Sequence, residues 1–311
     1  METDKFFTKI AIEKSVWSIT HNDSILLMGS CFTDEIGEKF IQHGFNVTKN
    51  PFGTIYNPCS IANLIIRAVR NELFSTQNII KSGEYYYLFE AHGDIRGKEK
   101  EDCLTLANRI INDIHNYLGD VTTIIITIGT ALSYWYKQGN ILMANCHKIP
   151  QKMIDRRFLT MEQIIFSLNE MMDSVCATFN KDMKFIFTVS PVRHIKEGYY
   201  DNKISKAILH LAIDKLLYNG RNVKYFPSYE IMMDELRDYR FYAKDLVHIN
   251  EMAVDYIWQR FSQTYFSEQT ILKSDKYFKL FQMKNHRPFN PDSDGYKQHL
   301  RKIERLEKEL M

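Results

Sequence analysis

Three side chains suited to nucleophilic catalysis occur at widely separated positions in this 311-residue chain. Ser30 follows an apolar run and a glycine, and Asp245 and His248 lie three residues apart just before a helical pattern. A serine hydroxyl becomes a nucleophile when a base removes its proton, and histidine is the usual base near neutral pH. A carboxylate can hold that imidazole in one tautomer. These residue types predict a site in which Ser30 attacks, His248 takes the proton and Asp245 orients His248.

A simpler interpretation of each motif stays open at this point. Gly29-Ser30 can be a plain strand-to-helix turn in which the serine caps the helix. An Asp-x-x-His pair also arises by chance among 38 acidic residues and 10 histidines. His147 and His194 lie in loops after candidate strands and compete with His248 for the role of base. His210 falls inside a helical pattern.

Cys31 directly follows the candidate nucleophile and offers a second one. A thiol is intrinsically more nucleophilic than a hydroxyl, so a Cys31–His248 pair is an alternative. Adjacent residues at a sharp turn point in different directions, and only one of them can face His248. We favour Ser30 as the nucleophile and expect Cys31 to line the substrate site.

The cysteines favour reduced thiols over a disulfide framework. Their number is odd, at five, they are widely spaced, and no Cys-x-x-Cys pair occurs. Cys146-His147 resembles part of a metal site, but no second ligand pair has a spacing that would complete one. We predict neither a metal nor a cofactor.

Composition and charge exclude several classes of protein. The chain has 40 basic and 38 acidic residues, and no basic stripe that would suit nucleic acid. No apolar run is long enough to span a membrane. The first residues lack the basic start and apolar region of a signal peptide, so we expect a cytoplasmic protein.

Apolar runs and helical stripes alternate along most of the chain. The runs predict strands over 24–28, 45–48, 85–89, 121–128, 184–189 and 222–226. Apolar residues at helical spacing predict helices over 33–43, 60–71, 99–118, 161–179, 204–218 and 250–266. This alternation predicts an α/β fold in which helices cover both faces of a parallel sheet. Ser30 and the Asp245–His248 pair should then lie at the carboxyl edge of that sheet.

The C-terminal residues break this rhythm. We expect a main domain over 1–266 and a helical extension over 267–311 that packs on the domain or projects from it. The charged segment 296–311 carries a thin apolar seam of leucine and isoleucine. That seam suits a peripheral arm, through which the chain could form a homo-oligomer.

Ordered motifs are spread over residues 24–260. They are Gly29-Ser30-Cys31-Phe32-Thr33, Asn50-Pro51-Phe52-Gly53-Thr54-Ile55-Tyr56-Asn57-Pro58, Ile128-Gly129-Thr130-Ala131, Asn145-Cys146-His147-Lys148, Ser190-Pro191-Val192-Arg193-His194 and 225–230 with Asp245-Leu246-Val247-His248. Together they resemble the GSCFA family, a branch allied to the SGNH (GDSL-like) hydrolases, although Thr33 replaces the alanine of that signature. The resemblance implies a flavodoxin-like three-layer α/β/α sandwich and ester-hydrolase chemistry.

The resemblance also implies roles for individual residues. Ser30 matches the nucleophile, and Asp245 and His248 match the acid and base. Gly53 matches the glycine whose N–H joins that of Ser30 in the oxyanion hole. The third motif departs from the pattern, because Gly129-Thr130-Ala131-Leu132 lacks the asparagine of Gly-x-Asn-Asp.

A missing oxyanion donor costs about 2.7–4 kcal/mol of transition-state stabilisation if nothing replaces it. We expect Asn145 to replace it, since Asn145 follows the same strand in sequence. Thr130 is the second choice and Asn57 the third. Removal of a small O-acyl group from a carbohydrate or glycan precursor is the expected activity.

Several further residues are candidates for substrate binding. They are Cys31, Thr130, His147, Lys148, Arg193 and His194. Lys148 and Arg193 could bind a carboxylate or phosphate of the substrate. Two other functions use the same fold: an acyltransferase with the same three catalytic residues, and a binding or scaffold module with little turnover.

Overall fold

The computed structural model describes residues 8–179, 182–218 and 222–310. Its central sheet has five parallel strands in the order β11-β10-β6-β1-β2. These strands are β1 (Ser24–Gly29), β2 (Asn46–Lys49), β6 (Val121–Ile128), β10 (Lys184–Val189) and β11 (Val223–Tyr225). The α/β class with a central parallel sheet is confirmed.

Helices connect the strands and continue beyond the sheet. They are α1 (Cys31–Gln42), α2 (Pro58–Val69), α3 (Lys100–Leu118), α4 (Met161–Phe179), α5 (Tyr199–Leu217), α6 (Ser228–Glu230), α7 (Glu251–Tyr265), α8 (Glu268–Asn285) and α9 (Asp294–Leu310). A π-helical segment over Ile231–Leu236 follows α6. None of the helices in the described ranges is both long and apolar enough to cross a bilayer.

The strands alternate their side chains between two cores. In β1, Leu26 and Met28 pack in the core shared with helices α2 to α5, whereas Ile25 and Leu27 pack in the core shared with α1 and α7. Strands β6 and β10 alternate in the same way. Burying one such side chain stabilises the fold by about 1.5–3 kcal/mol. Packing against helices on both faces of the sheet therefore holds the strand ends in fixed positions.

Two small antiparallel sheets lie outside the central one. The first contains β3 (Ile79–Ser82), β4 (Tyr85–Leu88) and β5 (Arg96–Gly97), and the second contains β7 (Leu132–Tyr136), β8 (Ile141–Met143) and β9 (Ile154–Phe158). The sequence predicts only the strand around β4. The others are short and partly exposed, so they lack the long apolar runs that mark a buried strand.

Two helices begin earlier than the apolar stripes predict, α1 at Cys31 and α5 at Tyr199. Helix α2 begins at Pro58, a residue type that suits the first turn of a helix. In α2, Asn57 is the N-cap, and its side chain accepts a hydrogen bond from the Ser60 N–H. The exposed first turn of α5, with Tyr199 and Tyr200, extends that helix beyond its buried stripe, which defines only the packed part.

The C-terminal residues form two helices, α8 and α9. Ion pairs join them between Lys276 and Glu309 and between Lys284 and Glu307. Helix α8 packs near the end of α1, where Phe278 stacks on His43 with ring centroids 4.7 Å apart. The extension is thus attached to the α1 side of the molecule, and self-association through α9 stays a prediction.

Candidate active site

Ser30 lies in the tight turn between β1 and α1. Its backbone is extended, with φ −70° and ψ 175°, and its N–H donates to the Thr127 carbonyl oxygen at 3.1 Å. The preceding Gly29 has φ +150°, and a Cβ there would lie 2.1 Å from the Thr127 oxygen. Only glycine therefore allows β1 to reach β6 so closely immediately before the serine.

The Ser30 side chain is held by another serine. Its hydroxyl donates to Ser190 Oγ at 3.0 Å, across the end of β6, and it makes no cap hydrogen bond to α1. Ser30 is 1% exposed. The hydroxyl consequently sits at the N-terminus of a helix, where the helix dipole favours negative charge, but it is covered by its neighbours.

Asp245 and His248 form a pre-assembled pair in the loop before α7. Asp245 Oδ2 lies 2.6 Å from His248 Nδ1, and Oδ1 accepts the N–H groups of Val247 and His248 at 3.0 Å each. The hydrogen bond from His248 and then these two N–H groups lower the pKa of Asp245 to about 2. An ionised carboxylate only accepts, so Nδ1 carries the hydrogen and Nε2 is free to act as a base.

This loop adjoins the segment that follows β10. The Arg193 guanidinium lies 5.6 Å from the Tyr242 ring centroid, and Nη2 donates to Met233 Sδ at 3.4 Å. Tyr242 in turn forms a β-bridge with Ile249, next to His248. The loop therefore lies at the carboxyl edge of the sheet, the edge at which Ser30 follows β1.

Ser30 and His248 are not hydrogen-bonded to each other in this structure. The Ser30 hydroxyl points to Ser190, and the side chains of Asp245 and His248 are 50% and 55% exposed. The roles of nucleophile, base and acid remain predictions, and the Ser30 side chain has to turn away from Ser190 before His248 can take its proton.

Gly53 is placed close to the strand end, but its N–H is engaged. It has φ +74°, and a Cβ would lie 2.3 Å from His92 Cβ, so this position also requires glycine. The Gly53 N–H donates to the Asn50 carbonyl at 2.8 Å, while Asn50 Oδ1 accepts the Gly29 N–H at 2.8 Å. This loop fastens the β1 terminus, and its N–H would serve as an oxyanion donor only after leaving Asn50.

The three candidates for the missing amide donor differ in their hydrogen bonds. Thr130 Oγ1 pairs with Ser205 Oγ at 2.9 Å and accepts the Leu132 N–H. The Asn57 amide caps α2 and donates to Ser60 Oγ. Asn145 is half-buried and forms no side-chain hydrogen bond with any residue in the described ranges, so it alone has a free amide.

The Cys31 thiol is a weak competitor of the serine. Burial raises the pKa of the Cys31 thiol, and this effect exceeds that of the nearby Phe32 N–H, which lowers it. A protonated thiol is a poor nucleophile. The Cys31 thiol is therefore less activated than an ordinary cysteine, and the choice of Ser30 as the nucleophile stays a prediction.

The other residues predicted to bind substrate differ in their burial and in their contacts. His147 is buried and stacked on Tyr87 with centroids 5.3 Å apart, and burial lowers the pKa of His147 to about 4. Neither ring nitrogen of His147 has a hydrogen-bond partner in the described chain. Lys148 is exposed, and the His194 ring lies 6.1 Å from that of Tyr56. For Arg193, no carboxylate of the described residues lies within ion-pairing distance.

Lys206 is a residue of this region that the sequence analysis overlooked. It lies in α5, is 2% exposed, and donates through Nζ to the carbonyl oxygens of Gly129 and Ser190 at 2.8 Å each. Burial lowers the pKa of Lys206 to about 7. The signal was present, because Lys206 falls on the apolar stripe of α5 with Leu209 and Ile213.

Within the described ranges, no cluster of histidine, cysteine or acidic residues could hold a metal ion.

The model of the GSCFA family matches residues 24–261. This chain belongs to the GSCFA family. The match runs from β1 to α7, so it includes the whole central sheet and both motifs that carry Ser30 and His248, and it ends before α8.

Comparisons beyond the GSCFA family model are less informative. No curated protein matches the sequence. A carbohydrate esterase family 3 structure from Talaromyces cellulolyticus is 9% identical with a TM-score of 0.37, over 81% of this chain and 99% of that chain. A Clostridium thermocellum family 3 carbohydrate esterase is 12% identical with a TM-score of 0.34, over 78% and 94%. Similarity at this level does not establish a shared activity.

Proposed function

We propose that this GSCFA protein is a serine ester hydrolase that removes a small O-acyl group from a carbohydrate substrate. The observation that carries the proposal is the 2.6 Å pairing of His248 with Asp245 at the sheet edge where Ser30 follows β1. The base is thus already oriented, and its free nitrogen is accessible to solvent.

The reaction uses Ser30 and His248 in two steps. Ser30 Oγ attacks the carbonyl carbon of the ester while His248 Nε2 takes the hydroxyl proton. The tetrahedral intermediate then expels the alcohol, which receives that proton from His248. In the second step His248 activates a water molecule, which releases the acid and regenerates Ser30. Asp245 stabilises the imidazolium in both steps.

A rotation of the Ser30 side chain has to precede the attack. In the resting arrangement its hydroxyl donates to Ser190 Oγ. Serine χ1 has three staggered wells, so a change of rotamer releases the hydroxyl without movement of the backbone. The helix dipole of α1 then lies behind the developing negative charge.

The substrate we propose carries an anionic group near the ester. Arg193 lies between Tyr242 and Met233 next to the His248 loop, and no described carboxylate pairs with it. A half-buried guanidinium with no carboxylate partner among the described residues is suited to a carboxylate or phosphate of the ligand.

A fluorophosphonate probe tests the proposal most directly. We expect it to label the wild-type protein covalently and to leave Ser30→Ala and His248→Ala unlabelled. Hydrolysis of p-nitrophenyl acetate should fall by about 10⁴-fold or more in Ser30→Ala. Cys31→Ala is the matched control, since it removes the adjacent nucleophile and should keep labelling and turnover.

Two results would contradict this function. Labelling lost in Cys31→Ala and kept in Ser30→Ala would assign the reaction to the thiol. A wild-type protein that neither reacts with the probe nor hydrolyses the ester, beside an active control esterase, would favour a binding module. The burial of Ser30 beneath its neighbours is the observation that keeps this second function in consideration.

A further inference from the structure

The proposed esterase needs hydrogen-bond donors for the oxyanion, and the two backbone N–H groups that the family resemblance implies are occupied. The Ser30 N–H donates to the Thr127 carbonyl at 3.1 Å, and the Gly53 N–H donates to the Asn50 carbonyl at 2.8 Å. The asparagine of the third motif is absent from the sequence. A different donor has to lie close to Ser30 if the site stabilises negative charge well.

Ser190 is the side chain that contacts the proposed nucleophile. Its Oγ lies 3.0 Å from Ser30 Oγ, and Ser190 is 1% exposed. The Ser190 oxygen accepts hydrogen bonds from the Ser30 hydroxyl and from the Val192 N–H at 3.3 Å. A hydroxyl has two acceptor sites and one donor. Both acceptor sites are therefore used, while no group in the described part of the chain accepts the Ser190 hydrogen.

Lys206 holds Ser190 in this position. The Lys206 ammonium joins the Ser190 carbonyl to the Gly129 carbonyl, which ties the end of β10 to the end of β6. No described carboxylate pairs with Lys206, so in the protonated fraction of the protein its charge adds to the local field. In a buried site such a charge acts through a low dielectric and favours an adjacent anion.

We propose that Ser190 is a catalytic residue that donates its hydroxyl hydrogen to the oxyanion of the tetrahedral intermediate, and that Lys206 is its positioning residue. This inference rests on the proposed function. When Ser30 passes its proton to His248, Ser190 loses an incoming hydrogen bond. The oxyanion forms two bonds away from Ser30 Oγ, next to the Ser190 hydroxyl. The Ser190 proton stays on its own oxygen throughout, so the proton balance of the reaction is unchanged.

The test compares Ser190→Ala, Ser190→Thr and Ser228→Ala in the full-length chain. Ser228 is a fully buried serine after the neighbouring strand β11, where it pairs with Thr188 and Val189. With p-nitrophenyl acetate, we expect Ser190→Ala to lower kcat by about 10²- to 10³-fold with KM within about twofold. Ser190→Thr, which keeps the hydroxyl, should recover most of that loss. Ser228→Ala should keep the wild-type kcat.

The pH profile separates charge stabilisation from proton transfer. An oxyanion donor does not titrate, so Ser190→Ala should lower kcat equally across the profile and leave the acid limb in place. A displaced acid limb would overturn the inference, because Ser190 would then take part in moving the proton. A kcat that stays within about threefold of wild type, or an equal loss in Ser228→Ala, would also overturn it.

Two further comparisons separate a folding defect and a failure of the proposed function from a failure of this inference. If Ser190→Ala does not fold, Ser190→Cys replaces it, since a thiol is a weak donor of similar size and should lower kcat with an unchanged KM. Activity that survives in Ser30→Ala would refute the proposed function itself. An inactive Ser30→Ala beside a fully active Ser190→Ala would refute this inference alone.

Discussion

The two halves of the candidate site are built in opposite ways. Ser30, Ser190 and Lys206 are buried, and their positions depend on the ends of three adjacent strands. Asp245 and His248 are half exposed, and a single loop with its own backbone hydrogen bonds aligns them. The first half is preorganised by packing of the whole sheet, and the second by local chain geometry. A hydrogen bond between the two halves requires the Ser30 hydroxyl to leave Ser190.

The largest expected effect on the exposed half comes from replacing Asp245. Asp245→Asn should lower kcat by about 10³- to 10⁴-fold, because an amide that donates to Nδ1 would place the hydrogen on Nε2. Steady-state kinetics at neutral pH measure this loss. Asp238→Asn is the control, since the Asp238 side chain caps a short helix by accepting the Arg240 N–H, which asparagine also accepts.

The pH dependence of the exposed half has a definite sign. The native pKa of Asp245, about 2, lies below its ordinary value of 3.8. The stability that this carboxylate contributes is therefore present above about pH 4 and is lost as the pH falls toward 2. Asp245→Asn should remove that part of the acid sensitivity, and a thermal unfolding series from about pH 5 to 2 would show whether it does.

A smaller effect is expected when Lys206 in the buried half is changed. Lys206→Met should lower kcat by roughly ten- to a hundredfold through loss of the Ser190 position, while Lys203→Met on the exposed side of the same helix should not. An unchanged kcat in Lys206→Met would show that β10 keeps its position without the ammonium.

Stability against pH provides an independent measurement on Lys206. The native pKa of about 7 lies below the ordinary 10.5, so between these values the unfolded chain binds the extra proton. The free energy of unfolding of the wild type should therefore rise relative to Lys206→Met as the pH increases from about 7 to 10. The slope should be at most about 1.4 kcal/mol per pH unit in urea titrations. A flat difference would mean that the lysine has an ordinary pKa.

At the junction of the two halves, replacing Arg193 should alter substrate specificity rather than turnover. Arg193→Met should raise KM by about ten- to a hundredfold for an ester that carries a carboxylate, and leave a neutral ester of the same acyl group unaffected. Arg109→Met on the exposed side of α3 is the control. Equal changes in KM for both esters would show that Arg193 does not recognise the carboxylate.

The smallest expected effect is that of Asn145→Ala, which tests whether Asn145 or Ser190 donates to the oxyanion. If Ser190 supplies the oxyanion hydrogen bond, Asn145→Ala should change kcat by less than about threefold. A loss of about 10²-fold or more in Asn145→Ala would instead return the donor role to the residue that the sequence favours. The kcat values of Ser190→Ala and Asn145→Ala, measured with one ester under identical conditions, decide whether the Ser190 hydroxyl or the Asn145 amide is the donor.

Much of the fold was predictable because the responsible signals are local. The β-branched run 121–128 and the stripes of α3 and α4 each have a clear period, and the structure confirms them. The short strands β7 to β9 were not predictable, since β8 and β9 are only partly buried and pairing with one another defines all three. The start of α5 was misplaced for a related reason, because its exposed first turn carries no apolar stripe.

The sequence by itself determined the five parallel strands and the helices between them along the chain, and the Asp245–His248 pair, because each depends on residues close together in the chain. Tertiary structure alone decided that Ser190 meets Ser30 and that Lys206 meets Ser190, since Ser190 and Lys206 lie 160 and 176 positions after Ser30 in sequence. Their contact depends on β6 lying between β1 and β10. Strand order is set by how both faces of the sheet are buried, and no local pattern encodes it.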